Sequence, residues 1–600
     1  MTKTGVAQRL DSLRTVMREH GVQACVVPTS DPHLSEYLPE RWQGREWLSG
    51  FRGSAGTLLV CLDEVRLWTD SRYWEQAETE LDGTGIVLMR AGQADVPSPP
   101  AWAAAQLPKG ACVAVDGQVL SVQAWRQWQD ACRAAGLRLA TDFDLPGLVW
   151  ADRPGLPAGT VTEHQAPWAC RSRQENLHAL RADMQRHDAH WHLISALDDI
   201  AWLFNLRGND IPYNPVFLAH ALVGRDTARL FVDAAKLGEP LRAVLEAEGI
   251  TVEPYEDIAA ALACLPEDET LLFDPARVTV GLLNAAADVG KTEGVNPAHL
   301  LKSRKNSAEI ANVRRCMEED GAALCEFFAW FEQAQGSTPI TELTIDEHIT
   351  AARARRPGFV SPSFGTIAAW QANGAMPHYH ATEAAHAVIE GDGLLLIDSG
   401  GQYLGGTTDI TRVVPVGNVT AEQKRDYTAV LKGMIALSQA VFPAGLPAHA
   451  LDAYARGPIW RLGADYGHGT GHGVGYFMNV HEGPQSISWR NTANPQAVML
   501  EGMITSNEPG LYRPGRWGIR IENLVLAVAH GSTEFGDFLH FETLTLCPID
   551  TRCIDIEMLS KEEIAWLDGY HAQVRQRLSP LVEGAAKDWL ERHTRALGAS

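Results

Sequence analysis

Four acidic residues in the second half of the chain lie within or at the end of apolar, strand-like segments: Asp398, Asp409, Glu508 and Glu522. Residues 394–398 show the pattern most clearly, because four apolar residues lead directly into the acid. A carboxylate in a buried strand is costly unless a positive charge meets it. The chain must therefore fold so that cations reach these four positions.

Local patterns predict how some of these side chains are presented. Residues 518–526 alternate in polarity, which predicts one strand in which Arg520 and Glu522 point to the same side. Glu508 precedes a proline, so we expect it in an extended conformation.

Histidines accompany the acids. Residues 466–475 are rich in glycine, whose conformational freedom would present His468 and His472 at a pocket, and His481 follows shortly after. Four acids and one imidazole are too many ligands for one open catalytic zinc and suit two ions of Mn²⁺, Co²⁺ or Zn²⁺. Two such ions about 3.5–4 Å apart can share a hydroxide and stabilise the oxyanion it creates, which is the chemistry of amide hydrolysis.

The length of 600 residues predicts two to four domains, and the pattern divides the chain into three. A helix at residues 10–20 and strands at 24–28, 57–61 and 65–69 predict an α/β domain over residues 1–155, ended by a Pro/Gly-rich linker. Residues 192–203 and 217–233 repeat this pattern, which favours an internal duplication and a second α/β domain over residues 156–305.

The third domain, residues 306–600, carries nearly all of the candidate chemistry. Asn306 and Glu309 form a capping-box pattern that predicts a long helix to about Gln333. Short strands and glycine-rich turns follow, and the same pattern at Ser560 and Glu563 predicts a C-terminal helix.

Composition excludes several classes of protein. Hydrophobic residues make up 45% and charged residues 21%, which is typical of a folded globular protein and not of a disordered one. A net charge of −23 makes nucleic acid and anionic membranes poor partners. The N-terminus lacks the apolar core of a signal peptide, no apolar stretch is long enough to span a membrane, and the ten cysteines form no framework, so we expect a cytoplasmic protein with reduced thiols.

The order of the acids and of His472, with the motifs around them, resembles the metallopeptidase family of the pita-bread (creatinase/aminopeptidase) fold. The motifs lie at residues 397–412, 468–475, 480–484 and 518–523. Within that family the likeness is to the long, three-domain, cytosolic Xaa-Pro aminopeptidases, and it runs along most of the chain. The resemblance implies two related, creatinase-like α/β domains followed by a pita-bread catalytic domain with a C-terminal helical extension.

The resemblance also implies a role for each matching residue. Asp398 would bind one metal ion, Glu508 and His472 the other, and Asp409 and Glu522 both. The three histidines that are not ligands would orient the substrate and stabilise the tetrahedral intermediate: His378, His468 and His481.

Glu508 would in addition move a proton between nucleophile and leaving nitrogen. Arg520 would brace the ligands, with a purely structural ion pair as the alternative.

Two positions depart from the family pattern. The first substrate-side histidine of the family follows Gly-Ala-Ile-Ile, whereas residues 374–377 are Gly-Ala-Met-Pro. His378 aligns best, with His380 as a competitor. Asn507 stands where the family commonly has an aspartate or a similar residue.

The implied activity is hydrolysis of the bond between an N-terminal residue and a following proline by a homodimer with two divalent ions, Mn²⁺ in first place and Co²⁺ or Zn²⁺ as alternatives. A prolidase would share the ligands but cleave only dipeptides, and a methionine aminopeptidase would not need the first 300 residues. A non-catalytic pita-bread binding module would have lost ligands that are intact here.

Overall fold

The computed structural model describes residues 3–286, 288–492 and 494–597. The chain divides into two compact units, one of Met1–Gln165 with Arg171–His299 and one of Ala166–Cys170 with Leu300–Ser600. Both contain helices and sheets, so the α/β prediction is confirmed. The domain boundaries at residues 155 and 305 stay predictions.

The first half of the first unit is built on a six-stranded mixed sheet of order β4-β3-β2-β1-β5-β6. Its central strands are apolar on both faces because helices cover both sides. The elements are α1 (Lys3–Glu19), β1 (Ala24–Pro28), α2 (Gly44–Ser49), β2 (Thr57–Cys61), β3 (Val65–Thr69), α3 (Trp74–Leu81), β4 (Ile86–Arg90), α4 (Pro99–Gln106), β5 (Cys112–Val115), α5 (Val122–Ala135), β6 (Arg138–Ala140) and α6 (Leu145–Val149).

The second half of this unit holds a second six-stranded sheet of order β12-β11-β10-β8-β13-β14 and a small pair of strands, β7 with β9. The elements are β7 (Thr162–Glu163), α7 (Arg173–Arg186), β8 (Trp191–Ile194), α8 (Leu197–Leu203), β9 (Leu206–Arg207), β10 (Ala219–Gly224), β11 (Ala228–Val232), α9 (Glu239–Ala247), β12 (Ile250–Glu253), α10 (Ile258–Ala263), β13 (Thr270–Phe273), α11 (Val280–Ala285) and β14 (Gly290–Glu293).

The two large sheets repeat one topology. β1 pairs antiparallel with β2 and parallel with β5, and β8 pairs in the same way with β10 and β13. The hairpin of β2 and β3 has its counterpart in β10 and β11. This repetition agrees with the duplication that the sequence pattern favours.

The second unit contains a six-stranded sheet of order β21-β28-β27-β24-β22-β23, two three-stranded sheets, β15-β18-β19 and β16-β17-β20, and the hairpin β25-β26. The helix α12 (Pro297–Ser303) crosses the division between the units. The further elements are α13 (Ser307–Ala334), α14 (Glu342–Ala354), β15 (Phe359–Pro362), β16 (Ile367–Trp370), β17 (Gly393–Ser399), β18 (Gly401–Tyr403), β19 (Gly406–Thr407), β20 (Ile410–Val416), α15 (Ala421–Ser438), β21 (Val441–Pro443), α16 (Asp452–Trp460), β22 (Gly471–Gly473), β23 (Glu482–Ile487), β24 (Ile504–Asn507), β25 (Gly510–Arg513), β26 (Trp517–Arg520), β27 (Asn523–Thr533), β28 (Gly536–Thr543), α17 (Lys561–Leu578) and α18 (Gly584–His593).

The helix starts predicted from capping patterns are confirmed. Asn306 accepts hydrogen bonds from the first turn of α13 while Glu309 accepts one from the Asn306 backbone, and Ser560 and Glu563 do the same for α17. The first helix begins earlier than predicted, at Lys3 and not at residue 10.

Two strand predictions near the acids are wrong. Residues 518–526 do not form one strand, because the backbone N–H of Ile521 turns to Pro509 and that of Glu522 turns to Thr411, which separates β26 from β27. Asp409 lies between β19 and β20 and not inside a strand, at the point where the chain passes from one three-stranded sheet to the other.

All ten cysteines are free thiols, of which eight are buried, Cys170 is half-buried and Cys264 is exposed. None of the helices in the described ranges combines the length and the apolar character needed to cross a bilayer.

Candidate active site

The candidate site lies in the second unit, where strand ends from several sheets meet. Asp398 on β17 pairs across the sheet with Thr411 on β20, and the backbone N–H of Glu522 donates to the Thr411 carbonyl. Glu508 follows β24 directly, and its N–H donates to the carbonyl of Thr470, just before β22. These backbone contacts bring Asp398 close to Glu522, and Glu508 close to the strand that carries His472.

Arg520 is the central cation of this place. Its guanidinium donates to Asp398 Oδ2 at 2.6 Å, to the Tyr512 hydroxyl at 2.7 Å and to Thr411 Oγ1 at 3.1 Å. The same Thr411 hydroxyl donates to Glu522 Oε2 at 2.8 Å. Arg520 and Glu522 therefore meet at one atom, although no single strand carries both.

Three predicted ligands, Asp409, His472 and Glu522, converge so closely that one donor atom of each lies within 4.8 Å of the others. His472 Nε2 lies 3.6 Å from Asp409 Oδ2 and 3.6 Å from Glu508 Oε1. Its other ring nitrogen, Nδ1, lies 2.9 Å from the Gly473 carbonyl, which fixes the ring with Nε2 towards the acids.

The acids raise one another's pKa values. Burial, and then the charges of Asp398 and Glu508, raise the pKa of Asp409 well above its usual value. Burial, and then Asp409 and Glu508, do the same for Glu522. Burial raises the pKa of Glu508 to about 7, with Arg520 opposing the rise. So many crowded carboxylates need added positive charge to remain ionised together.

Divalent cations fit the residues present. Asp398 Oδ1 and Glu522 Oε1 are buried oxygens without a hydrogen-bond partner among the described residues. In each carboxylate the other oxygen is hydrogen-bonded, so the free oxygen is available to bind a metal ion. An oxygen-rich set with one imidazole suits Mn²⁺, Co²⁺ and Zn²⁺.

Two of the predicted substrate-side histidines lie at the acids. The ring of His481 packs edge-on against His472 with 4.4 Å between centroids. His468 Nδ1 lies 3.9 Å from Glu508 Oε2, and its Nε2 lies 2.8 Å from the Tyr512 hydroxyl. Burial raises the pKa of Tyr512 to about 12, so this hydroxyl keeps its proton.

His378 and His380 lie in the connection between β16 and β17. His378 is half-buried and His380 is exposed. The beginning of this connection packs on β26, where a side chain at Gly518 would clash with the Gly374 carbonyl and one at Gly374 would be tight against the Gly518 backbone. His378 is thus carried by a segment that rests on the strand ending at Arg520.

A buried cluster of charged residues involves the residue that follows His481. The next residue, Glu482, is 4% exposed, and its carboxylate lies 2.5 Å from Lys305 Nζ and 3.6 Å from Lys302 Nζ. Lys305 also donates to the Val474 carbonyl at 2.7 Å. Both lysines were absent from the sequence prediction, and 177 positions separate Lys305 from Glu482.

Asn507, the departure from the family pattern, faces away from the acids. Its side-chain amide donates to the Met434 carbonyl and to Ser438 on α15. These two hydrogen bonds from a neutral side chain therefore attach the end of β24 to α15.

Sequence reasoning also missed Tyr512 and Thr411. The Pro-Gly pair at residues 514–515 is a turn signal that predicts a hairpin and places Tyr512 opposite Gly518, beside Arg520. For Thr411 the available signal was its position two residues after Asp409.

Family models match the chain from near its start to near its end. The description Creatinase/Prolidase N-terminal domain fits residues 9–153 and again 152–309. Metallopeptidase family M24 fits residues 311–529, and the C-terminal region of peptidase M24 fits residues 537–597.

Curated relatives are similar over almost the full length. Aminopeptidase P2 of Arabidopsis thaliana is 37% identical over 99% of this chain and 89% of its own. Xaa-Pro aminopeptidase 1 of Dictyostelium discoideum is 37% identical over 97% of this chain and 95% of its own.

Among solved structures, the X-prolyl aminopeptidase of Caenorhabditis elegans, described as a cytosolic enzyme with a di-nuclear active site, matches with a TM-score of 0.95. It is 30% identical, and the match covers 100% of both chains.

Proposed function

The chain belongs to metallopeptidase family M24, and from this premise we propose that it is a dimetal aminopeptidase that removes the N-terminal residue of peptides whose second residue is proline. The relatives that match the full chain carry this activity in their names. The chain has the two N-terminal creatinase domains and the M24 domain in one polypeptide, and its similarity to those relatives extends over all of them.

One observation carries the proposal: a donor atom from each of Asp409, His472 and Glu522 lies within 4.8 Å of the others, with the buried free oxygen of Asp398 in the same group of acids. A non-catalytic binding module would have no need to keep this costly group of carboxylates intact.

We assign the ligands as the family pattern implies. Asp398 would hold one ion, Glu508 and His472 would hold the other, and Asp409 and Glu522 would serve both. When bound, the ions supply Lewis-acid activation of water and of the scissile carbonyl. Arg520 orients Asp398 through the 2.6 Å hydrogen bond and limits the net negative charge of the centre.

The remaining polar groups handle the substrate and its protons. Glu508 Oε2 faces His468, and this oxygen is our candidate to carry a proton to the leaving nitrogen. His378, His468 and His481 together orient the substrate and stabilise the tetrahedral intermediate.

Selectivity for proline rests on shape. The nitrogen of the scissile bond has no hydrogen to donate, so recognition depends on contacts to the ring and to the free α-amine.

The test is hydrolysis of Arg-Pro-Pro, Arg-Ala-Ala and Ala-Pro by metal-stripped protein, before and after addition of Mn²⁺, Co²⁺ or Zn²⁺. We expect metal-dependent release of arginine from Arg-Pro-Pro alone. Selective cleavage of Ala-Pro would move the assignment to prolidase. Absence of cleavage with every metal would favour a binding module.

We further propose Mn²⁺ as the preferred ion, a homodimer, and the cytoplasm as the location. The similar enzyme of C. elegans is described as cytosolic. Three large aromatic side chains of the second unit, each about half exposed, support an association surface around α16: Tyr454, Trp460 and Trp489. Light scattering coupled to size-exclusion chromatography should give twice the chain mass, and a single-chain mass would refute the dimer.

A further inference from the structure

Glu342, the first residue of α14, is a buried carboxylate that none of the assigned roles uses. It is 1% exposed. Its Oε1 accepts hydrogen bonds from the Trp370 backbone at 2.7 Å and from the Asn373 amide at 2.8 Å. Its Oε2 accepts from the Tyr379 hydroxyl at 2.8 Å and from the Ala387 backbone at 2.7 Å. All four donors belong to one segment, residues 370–387.

This segment connects β16 with β17 and carries His378. Glu342 holds its beginning, its middle and its end, and backbone pairing strengthens the last contact. The Glu342 N–H donates to the Ala387 carbonyl at 3.1 Å, and the Ile389 N–H donates to the Ile340 carbonyl at 2.8 Å. The segment is thus closed into a loop by one side chain and its neighbours.

The four contacts suit the acceptor pattern of a carboxylate. A carboxylate offers only acceptors, and four donors satisfy its two oxygens. Its position in the first turn of a helix of 13 residues adds favourable dipole interactions. Burial and the contact with Glu342 raise the pKa of Tyr379, so the phenol stays a donor. A glutamine at position 342 would place its side-chain NH₂ group next to two of these four hydrogen-bond donors.

The contact of Tyr379 also distinguishes the two histidines beside it. Tyr379 is tied to Glu342, its neighbour His378 is half-buried, and its other neighbour His380 is exposed. His378 is therefore the more enclosed of the two histidines.

We propose that Glu342 is the positioning residue of the substrate-side histidine: it acts on the reaction through residues 370–387, and the histidine it positions is His378 and not His380. This inference rests on the proposed aminopeptidase function for its kinetic part. Its structural part, the anchoring of the loop, is independent of activity.

The kinetic experiment is a double-mutant cycle on the metal-loaded full chain with Arg-Pro-Pro as substrate. We expect Glu342→Gln to lower kcat/KM by about 100-fold, because misplacement of a substrate-contacting group by about 1 Å has effects of this size. In the His378→Ala background the same change should cost less than about two-fold, whereas in the His380→Ala background it should cost its full amount.

Two further variants keep the test decisive. Tyr379→Phe removes one donor and leaves the carboxylate, so it should show a smaller loss with the same dependence on His378 even if Glu342→Gln folds poorly. Glu332→Gln changes a carboxylate of the same unit that contacts Arg592, Arg552 and His593, and it should keep wild-type kinetics. Additive losses with His378→Ala, or near wild-type kinetics of both loop variants, would overturn the inference.

Hydrogen–deuterium exchange separates this inference from the proposed function. Glu342→Gln and Tyr379→Phe should speed amide exchange within residues 370–387 and leave the strands β17, β22 and β24 unchanged. Unchanged exchange in the loop would refute the anchoring in an active or an inactive protein. Absence of Arg-Pro-Pro cleavage by the wild type, with faster exchange in the variants, would refute the proposed function and the kinetic role but not the anchor.

Discussion

Arg520 and Asp398 stand 122 positions apart in the chain, yet the guanidinium donates to the carboxylate at 2.6 Å and leaves the other carboxylate oxygen free. One oxygen of Asp398 is thus held in place by Arg520, and the other is available to bind a metal ion. Arg520 also donates hydrogen bonds to Tyr512 and Thr411. The compact ammonium group of a lysine cannot make all three contacts at the same time.

Arg520→Lys should therefore weaken the centre while keeping its charge. We expect metal affinity and kcat/KM for Arg-Pro-Pro to fall by about 10–100-fold, since an outer partner of a metal ligand is lost. Metal content by elemental analysis and steady-state kinetics measure both. Arg513→Lys on the same hairpin, which pairs with Asp426, is the control and should be near wild type. Unchanged metal affinity would contradict the bracing role.

Tyr512→Phe removes the hydroxyl that joins His468 to Arg520. Because His468 loses a fixed hydrogen-bond partner, kcat should fall by about ten-fold or more while KM changes little. The exposed Tyr454→Phe is the matched control. A change confined to KM would show that His468 contributes to substrate binding and not to the chemical step.

Glu522→Ala should abolish peptidase activity and leave the protein folded. Among the residues that the structure describes, the side chain accepts a hydrogen bond only from the Thr411 hydroxyl, and its other oxygen is buried and free, so the change removes a proposed metal ligand and few structural contacts. Circular dichroism and elemental analysis accompany the assay. Glu542→Ala, which breaks the pair with Arg314, should stay active. Full activity of Glu522→Ala with metal bound would show that Glu522 is not a shared ligand.

Lys305→Met should destabilise the second unit strongly. The change leaves the buried Glu482 carboxylate with the more distant Lys302, and breaking a buried ion pair costs about 3–5 kcal/mol. We expect a clear drop in the thermal midpoint by calorimetry. Lys432→Met removes the more exposed pair with Glu563 and should have a much smaller effect. Equal shifts for the two variants would contradict the prediction.

His571 should make stability depend on pH in the acidic range. Its ring is fully buried, Nε2 accepts from the Ile549 N–H, and burial lowers its pKa from 6.5 to about 4. Between these values the unfolded chain binds a proton that the folded chain excludes, so stability falls as the pH falls through this window, by up to about 1.4 kcal/mol per pH unit.

Thermal midpoints across this pH range measure the effect. His571→Gln, which keeps an acceptor but cannot be protonated, should flatten the profile relative to wild type. His530→Gln, a change at an exposed histidine, should leave it unchanged. A wild-type slope in His571→Gln would assign the dependence to other groups.

Local patterns predicted much of this fold because their causes are local. The strands at residues 24–28, 57–61 and 65–69 are found as predicted, since continuous apolar runs are typical of buried strands. The caps at Asn306 and Ser560 need only residues three positions apart. The candidate ligands were predictable from chemistry and order together.

Contacts between residues far apart in the chain could not be predicted from the sequence. Nothing near Lys305 indicates that it meets Glu482, and nothing near Glu342 indicates that it holds a loop ending 45 positions later. The break between Arg520 and Glu522 likewise arises from backbone partners on other strands, so the alternation of residues 518–526 could not reveal it.

The burial of the thiols has a practical consequence for protein chemistry. Cys264, directly after α10, is the one exposed cysteine among the described residues. A maleimide dye should therefore attach there first and without mutagenesis. Since Cys264 belongs to a different unit from every proposed metal ligand, such a dye would provide a fluorescent handle for following the protein in binding or single-molecule experiments.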